Sequence, residues 1–144
     1  MNKRYILSTI LLTMALCLSA AKPSGRVWVF GVATVLNDSV VYMTDIQQLD
    51  SANIYGKGKF LYSRNNYSYQ LRDHMAKTGI DNAMCVTVFA SSQKDIEKKY
   101  LALRKKFSKK PKHASSDKNS TGTITLKYIE RNDFRYQCIK PDEE

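Results

Sequence analysis

The sequence predicts an α+β domain, with a mainly antiparallel sheet of about five strands and two helices packed on one face. Short β-branched and aromatic runs occur near both ends of the chain. Between them are two stretches with helical spacing of apolar residues, separated by one more strand-like run. The predicted order is therefore strand, strand, helix, strand, helix, strand, strand.

The first residues have the pattern of an export signal. Lys3 and Arg4 precede an uncharged apolar run over 6–18, and small residues follow at 19–21, where a signal peptidase cleaves. The apolar run is shorter than the roughly 20 residues of a membrane-spanning helix. We expect residues 1–21 to be a cleaved Sec signal.

The remaining chain has the length of one domain. We expect this domain over 22–140, a short acidic tail over 141–144, and a periplasmic or secreted location without a transmembrane span. A lipoprotein signal acylated at Cys17 fits poorly, because the large Leu16 precedes the cysteine. An uncleaved anchor is a further alternative. The net charge of +10 falls to +8 when the signal is removed.

Two strands are predicted at the start of the domain. The run 26–36 is apolar on both alternating faces and is typical of a central strand, with Gly31 at a bulge or close approach. The run 40–46 follows a short polar turn, so the two form a hairpin. The polar segment 47–59 is predicted to be a loop, and its Gly-Lys-Gly-Lys end lacks the spacing of a phosphate-binding loop.

The first helix is predicted over 65–78. Asn65 or Asn66 would cap its start, and Gly79 would end it in a left-handed conformation. Its apolar residues recur every four positions: Tyr67, Leu71 and Met75.

The segment 84–110 contains the predicted central strand, a serine turn and the second helix. Ser92 is the expected N-cap, and Asp95 lies in the positive first turn. Pro111 closes the helix. The expected buried stripe comprises Ile96, Tyr100, Leu103 and Phe107.

The last part of the domain is predicted to be a loop and a second hairpin. Residues 112–121 are polar and lack periodicity. Alternating runs over 122–129 and 134–138 flank a turn-prone stretch, which favours two paired strands.

The basic surface of the second helix is the candidate binding site. Clustered lysines attract phosphate, nucleic acid or acidic glycan, although a solvated helix face has the same composition. Nucleic acid is not expected, because no aromatic residues are interleaved with the charges and export removes the chain from it. The candidate residues are Lys98, Lys99, Lys105 and Lys106.

Two cysteines remain after signal cleavage. Cys85 and Cys138 can form a disulfide if their strands are neighbours and their Cα atoms lie within ~7 Å. The alternative is two free thiols in apolar surroundings. A nucleophilic Cys85 with His74 as base is disfavoured by the apolar strand. No metal-ligand spacing is present, so neither metal nor cofactor is predicted.

The stretch Cys-Val-Thr-Val-Phe-Ala-Ser-Ser at 85–92, followed by a helix, resembles part of the SPOR domains. These are small modules of the bacterial envelope that bind peptidoglycan glycan strands. The resemblance spans 84–110 and implies an envelope role, but it transfers no binding residue. The whole chain is similar to small exported proteins of Gram-negative bacteria.

These features predict an exported, non-enzymatic module of the periplasm or envelope. Its expected ligand is a partner protein or an anionic or glycan polymer. No catalytic constellation is visible in the sequence, but active-site pairs meet in space, so a small hydrolase with a loop-assembled site is an alternative. An interaction subunit of a secreted assembly is another.

Overall fold

The computed structural model describes residues 25–57, 60–109 and 124–141. The predicted signal (1–21), the loop 112–121 and the acids 142–144 lie outside these ranges. In chain order the described elements are β1 (Gly25–Val35), β2 (Val40–Thr44), β3 (Gln47–Ala52), β4 (Ile54–Tyr55), β5 (Phe60–Leu61), α1 (Arg64–Lys77), β6 (Ala83–Ala90), α2 (Gln93–Ser108) and β7 (Thr125–Ile129). The predicted α+β class, with two helices and a mainly antiparallel sheet of about five strands, is confirmed.

The long strand β1 is the centre of the sheet. On one side it pairs antiparallel with β6, from Trp28 opposite Ala90 to Val35 opposite Ala83. On its other side it pairs antiparallel with β3 near its start and with β2 near its end. Strand β7 lies parallel to β2. The short β4 and β5 form a separate hairpin.

The two helices pack on opposite faces of the sheet, so the prediction of a single helical face is wrong. Val29 of β1 belongs to the core cluster that contains Leu71 of α1. The neighbouring Phe30 belongs to the other cluster, with Ile96 of α2. Successive strand residues point to opposite faces, and both faces of β1 are apolar. Both therefore need a cover, and one helix supplies each.

The segment after β2 is a strand over Gln47–Ala52, where a loop was predicted. Its buried and exposed residues alternate, but its polar composition hides this period in the sequence. Gln47 is 5% exposed although it is polar. Its side-chain amide forms hydrogen bonds with the backbone of the C-terminal segment.

The predicted close approach at Gly31 is present. The Gly31 N–H donates a hydrogen bond to Oγ1 of Thr44 at 2.8 Å, at the break between β2 and β3. A Cβ atom added at Gly31 would lie 2.3 Å from the hydroxyl oxygen of Tyr136 and 2.5 Å from Cδ2 of Leu71. Only glycine leaves room for these two side chains.

The predicted end of α1 is confirmed and its start lies one residue before the predicted one, whereas the predicted N-cap, Asn65 or Asn66, is wrong. Gly79 has φ of 85°, and the N–H of Ile80 donates to the carbonyl of Met75 at 2.9 Å, as in a Schellman motif. At the start, Ser63 is the N-cap with φ of 55° and makes no side-chain cap bond. Instead Asn66 donates its side-chain N–H to Oγ of Ser63 at 2.6 Å.

The predicted second hairpin is also wrong, because residues 134–140 form no strand. Phe134 and Tyr136 are buried in the core on the α1 side. Gln47 donates to the carbonyl of Phe134 at 3.0 Å and accepts from the N–H of Tyr136 at 2.9 Å. The N–H of Ile139 donates to the hydroxyl of Tyr67 at 2.9 Å. Side chains satisfy the backbone here, so no paired strand is needed.

Candidate anion-binding groove

An open groove lies where β6 ends and α2 begins, with a volume of about 650 Å³. The chain bends at Ser91 and Ser92, and Oγ of Ser92 accepts a hydrogen bond from the N–H of Asp95 at 3.2 Å and so caps α2. We call this feature the lysine groove. It is lined by Phe89, Ala90, Ser91, Asp95, Lys98, Lys99 and Ala102.

The predicted apolar stripe of α2 sets the orientation of the groove. Ile96 is fully buried against β1, and Tyr100 lies edge-on to Phe30 with 5.0 Å between ring centroids. Leu103 and Phe107 pack against the same cluster. With this stripe on the sheet, one flank of α2 faces the end of β6 and presents its lysines there.

The backbone of β6 alternates between facing β1 and facing away from it. The N–H of Thr87 donates to Oγ of Ser68 on α1 at 3.1 Å, so the backbone N–H and C=O of Thr87 point away from β1. Its partner Gly31 points its own N–H the other way, to Thr44. Because outward positions recur every second residue, Phe89 also faces outward.

Lys99 caps this outward backbone inside the groove. Its Nζ donates to the Phe89 carbonyl at 2.9 Å and lies 5.8 Å from the centroid of the Phe89 ring. The cation therefore rests on a neutral acceptor instead of a carboxylate.

The two acids of α2 form no ion pair with the neighbouring lysines. Asp95 accepts a hydrogen bond from the hydroxyl of Ser92 at 2.8 Å, and Glu97 accepts one from the amide of Gln93 at 2.9 Å. Over 25–57, 60–109 and 124–141 the ion pairs are Arg26–Asp50 and Arg72–Asp73, neither of them on α2. Lys98 and Lys99 can therefore each contact a ligand anion without breaking an ion pair, and with Asp95 they give the groove lining one excess positive charge.

The four predicted binding lysines occupy different places. Lys98 and Lys99 line the groove. Lys105 and Lys106 are exposed in the last turn of α2 and do not line it. The residues that sequence reasoning missed are the backbone of Phe89 to Ser91 and Asp95. Their signal was the serine turn after an apolar strand, but nothing in the sequence showed that this strand borders the sheet.

The disulfide considered for Cys85 and Cys138 is not formed, and both cysteines are free. Cys138 lies exposed in the irregular C-terminal segment, whereas Cys85 is half-buried on β6. Burial raises the pKa of the Cys85 thiol to about 11, and nearby Arg72 offsets only part of this effect. The thiol is therefore protonated near neutral pH, which argues against a nucleophilic role.

A smaller cavity of about 420 Å³ lies between the end of α1, β2 and β7. The ring of His74 packs there against Phe134 with 5.1 Å between centroids. Lys127 places its Nζ 5.9 Å from the ring centroid of Tyr42. No group of three or more His, Cys, Asp or Glu residues suited to a metal occurs in the described part of the chain.

Within the residues that the structure covers, no helix combines the length and apolar character of a membrane span. Comparison of the chain with protein-family models, with curated proteins and with solved structures finds no match. The resemblance to SPOR domains remains a prediction.

Proposed function

We propose that this chain is an exported, non-enzymatic module of the envelope or periplasm that binds an anionic partner through the lysine groove. The observation that carries the proposal is the position of Lys98 and Lys99 and their lack of a carboxylate partner among the described residues. They line one concavity, and the acids nearest in sequence are hydrogen-bonded to uncharged side chains. Export is supported by the pattern of residues 1–21.

Electrostatics in the groove favours modest, salt-sensitive binding. Both lysines are exposed, so each contact with a ligand carboxylate or phosphate contributes roughly 0.2–1 kcal/mol. Several such contacts along a polymer add together, and each weakens as ionic strength rises because the Debye length falls to about 8 Å at 0.15 M. An extended polyanion is therefore a better ligand than a single small anion.

The test is fluorescence anisotropy of the mature chain (22–144) with labelled decaglutamate at low ionic strength. We expect Lys98→Gln/Lys99→Gln to weaken binding about tenfold, from two lost charge contacts. The matched control is Arg104→Gln/Lys105→Gln, which removes the same charge from the same helix outside the groove and is expected to weaken binding about twofold. Equal losses in both variants would show that only net charge matters and would contradict a groove site.

A glycan ligand is tested separately by sedimentation of the mature chain with purified peptidoglycan. If the chain binds glycan strands, it cosediments at low salt, and the Lys98→Gln/Lys99→Gln variant stays in the supernatant. Absence of cosedimentation by the unaltered chain would exclude the glycan form of the proposal and leave an acidic protein partner.

A further inference from the structure

The outer edge of β6 is unpaired within the described residues. Among the strands that the structure describes, β6 pairs with β1 alone, so it borders the sheet that they form. Its sequence, Ala-Met-Cys-Val-Thr-Val-Phe-Ala, contains no charge, proline or glycine. Many border strands carry a charged residue or a proline, which prevents pairing with another chain. This strand therefore lacks the usual protection of its own sequence.

The edge is capped instead by side chains from the two helices. Oγ of Ser68 accepts the N–H of Thr87, and Nζ of Lys99 donates to the carbonyl of Phe89. The Lys99 cap differs in kind, because it is a cation on a long flexible stem and the residue is exposed. An incoming carboxylate can draw the ammonium away and leave the carbonyl of Phe89 free.

The two ends of this edge differ in chemistry. Lys98 and Lys99 lie beside its Phe89 end. Towards its other end, Met84 and Val86 are 59% and 55% exposed on the face that α2 covers elsewhere. Three residues of strand span about 10 Å, so one extended peptide reaches both parts.

We propose that the edge of β6 receives an extended acidic peptide segment as an additional strand, with Lys99 moving from the Phe89 carbonyl to a carboxylate of the ligand. This inference rests on the proposed function and names its ligand. Backbone hydrogen bonds to the outward groups of β6 hold the strand, as in other cases of strand addition. Apolar residues of the ligand cover Met84 and Val86, and a ligand carbonyl replaces the hydroxyl of Ser68 at Thr87.

Charge selects an acidic ligand over a second copy of this chain. A dimer through β6 would place the basic flanks of two α2 helices along one continuous sheet. The chain has a net charge of +10, or +8 after signal removal, so this arrangement is repulsive. An acidic segment gains attraction from the same lysines.

The test uses the mature chain and a labelled nonapeptide of sequence Glu-Glu-Glu-Val-Thr-Val-Glu-Glu-Glu. This sequence is palindromic, so the peptide presents the same order of side chains whether it binds parallel or antiparallel to β6. Two further peptides carry N-methyl groups on alternate residues, one on the odd and one on the even set. In a strand only one set points its N–H groups at β6. We expect one methylated peptide to lose about tenfold or more in affinity, from the lost backbone hydrogen bonds, and the other to stay within about twofold.

The outcomes separate the inference from the proposed function. Equal affinity of both methylated peptides with the parent would overturn strand addition while leaving anion binding intact. Failure of the nonapeptide and of decaglutamate to bind would overturn both. A concentration-dependent dimer in analytical ultracentrifugation that the peptide does not dissociate would assign the edge to a second copy and overturn the inference.

The capping role of Lys99 has its own matched pair of variants. Lys98→Met and Lys99→Met remove the same charge, but only Lys99 bonds to the edge. With a neutral peptide in which glutamine replaces glutamate, Lys99→Met is expected to bind about threefold or more tightly than Lys98→Met, because the Phe89 carbonyl is open. Identical affinities of the two variants for this peptide would overturn the role of Lys99 as a movable cap.

Discussion

Replacement of Gln47 by methionine should release the C-terminal segment from the sheet. Gln47 is 5% exposed. Its side-chain amide donates a hydrogen bond to the Phe134 carbonyl and accepts one from the Tyr136 N–H. Methionine has a similar volume but satisfies neither group. Each backbone group left unsatisfied in the interior costs about 1–3 kcal/mol, so the free energy of unfolding should fall by roughly 2–6 kcal/mol.

Urea unfolding of the mature chain, followed by fluorescence of the single tryptophan, Trp28, measures this loss. The matched control is Gln48→Met, because Gln48 is exposed on the same strand and bonds only to the side chain of Asp50. We expect the control to stay within about 0.5 kcal/mol of the unaltered chain. A Gln47→Met variant no less stable than this control would refute the anchoring of residues 134–140 by Gln47.

Three further predictions concern single residues of the fold. Gly31→Ala should lower stability by about 2 kcal/mol or more in the same assay, since the new methyl group meets a tyrosine hydroxyl at 2.3 Å; an unchanged midpoint would contradict this packing. Ser92→Ala should cost about 1 kcal/mol through the lost cap of α2, while Ser91→Ala, outside the cap, should cost almost nothing, and equal effects would refute the cap assignment. Alkylation near pH 8 should modify exposed Cys138 well before Cys85, whose pKa is raised by burial to about 11. Because the Cys85 thiolate forms more easily in the unfolded chain, the free energy of unfolding should fall as pH rises from about 9 to 11. The Cys85→Ala variant should show a smaller fall over that range.

Local features of the fold could be predicted from the sequence because interactions between residues close in sequence determine them. Gly79 ends α1 since a left-handed residue is needed there, and Ser92 starts α2 since its hydroxyl accepts a backbone N–H. The stripe of α2 faces the sheet as its spacing indicated, with Ile96 buried and its other three residues half-buried. Each of these signals involves residues within a few positions of one another.

Features that depend on distant partners were not readable. The polar Gln47 lies in a strand because residues almost ninety positions later use its amide. The alternation of Phe134 and Tyr136 is typical of a strand, yet the structure buries both rings beside α1 without a paired neighbour. The sequence did show that both faces of β1 are apolar, and this should have indicated one helix on each face.

The candidate site was predictable only in part, for the same reason. The lysines of α2 are evident from the sequence, but the groove exists because the chain bends at Ser91 and Ser92 and α2 begins beside a strand that borders the described sheet. Border position follows from strand pairing over long sequence separations. The sequence therefore could not show that Lys98 and Lys99 line the groove, whereas Lys105 and Lys106 do not.

Hydrogen–deuterium exchange of the β6 amides, measured by NMR with and without the acidic nonapeptide, tests the central claim most directly. The outward N–H of Phe89 should exchange about tenfold or more slowly when the peptide is bound, because it then joins a ladder. The N–H of Val88, which faces β1, should be unaffected. Unchanged exchange at Phe89 in a chain saturated with peptide would contradict strand addition at this edge.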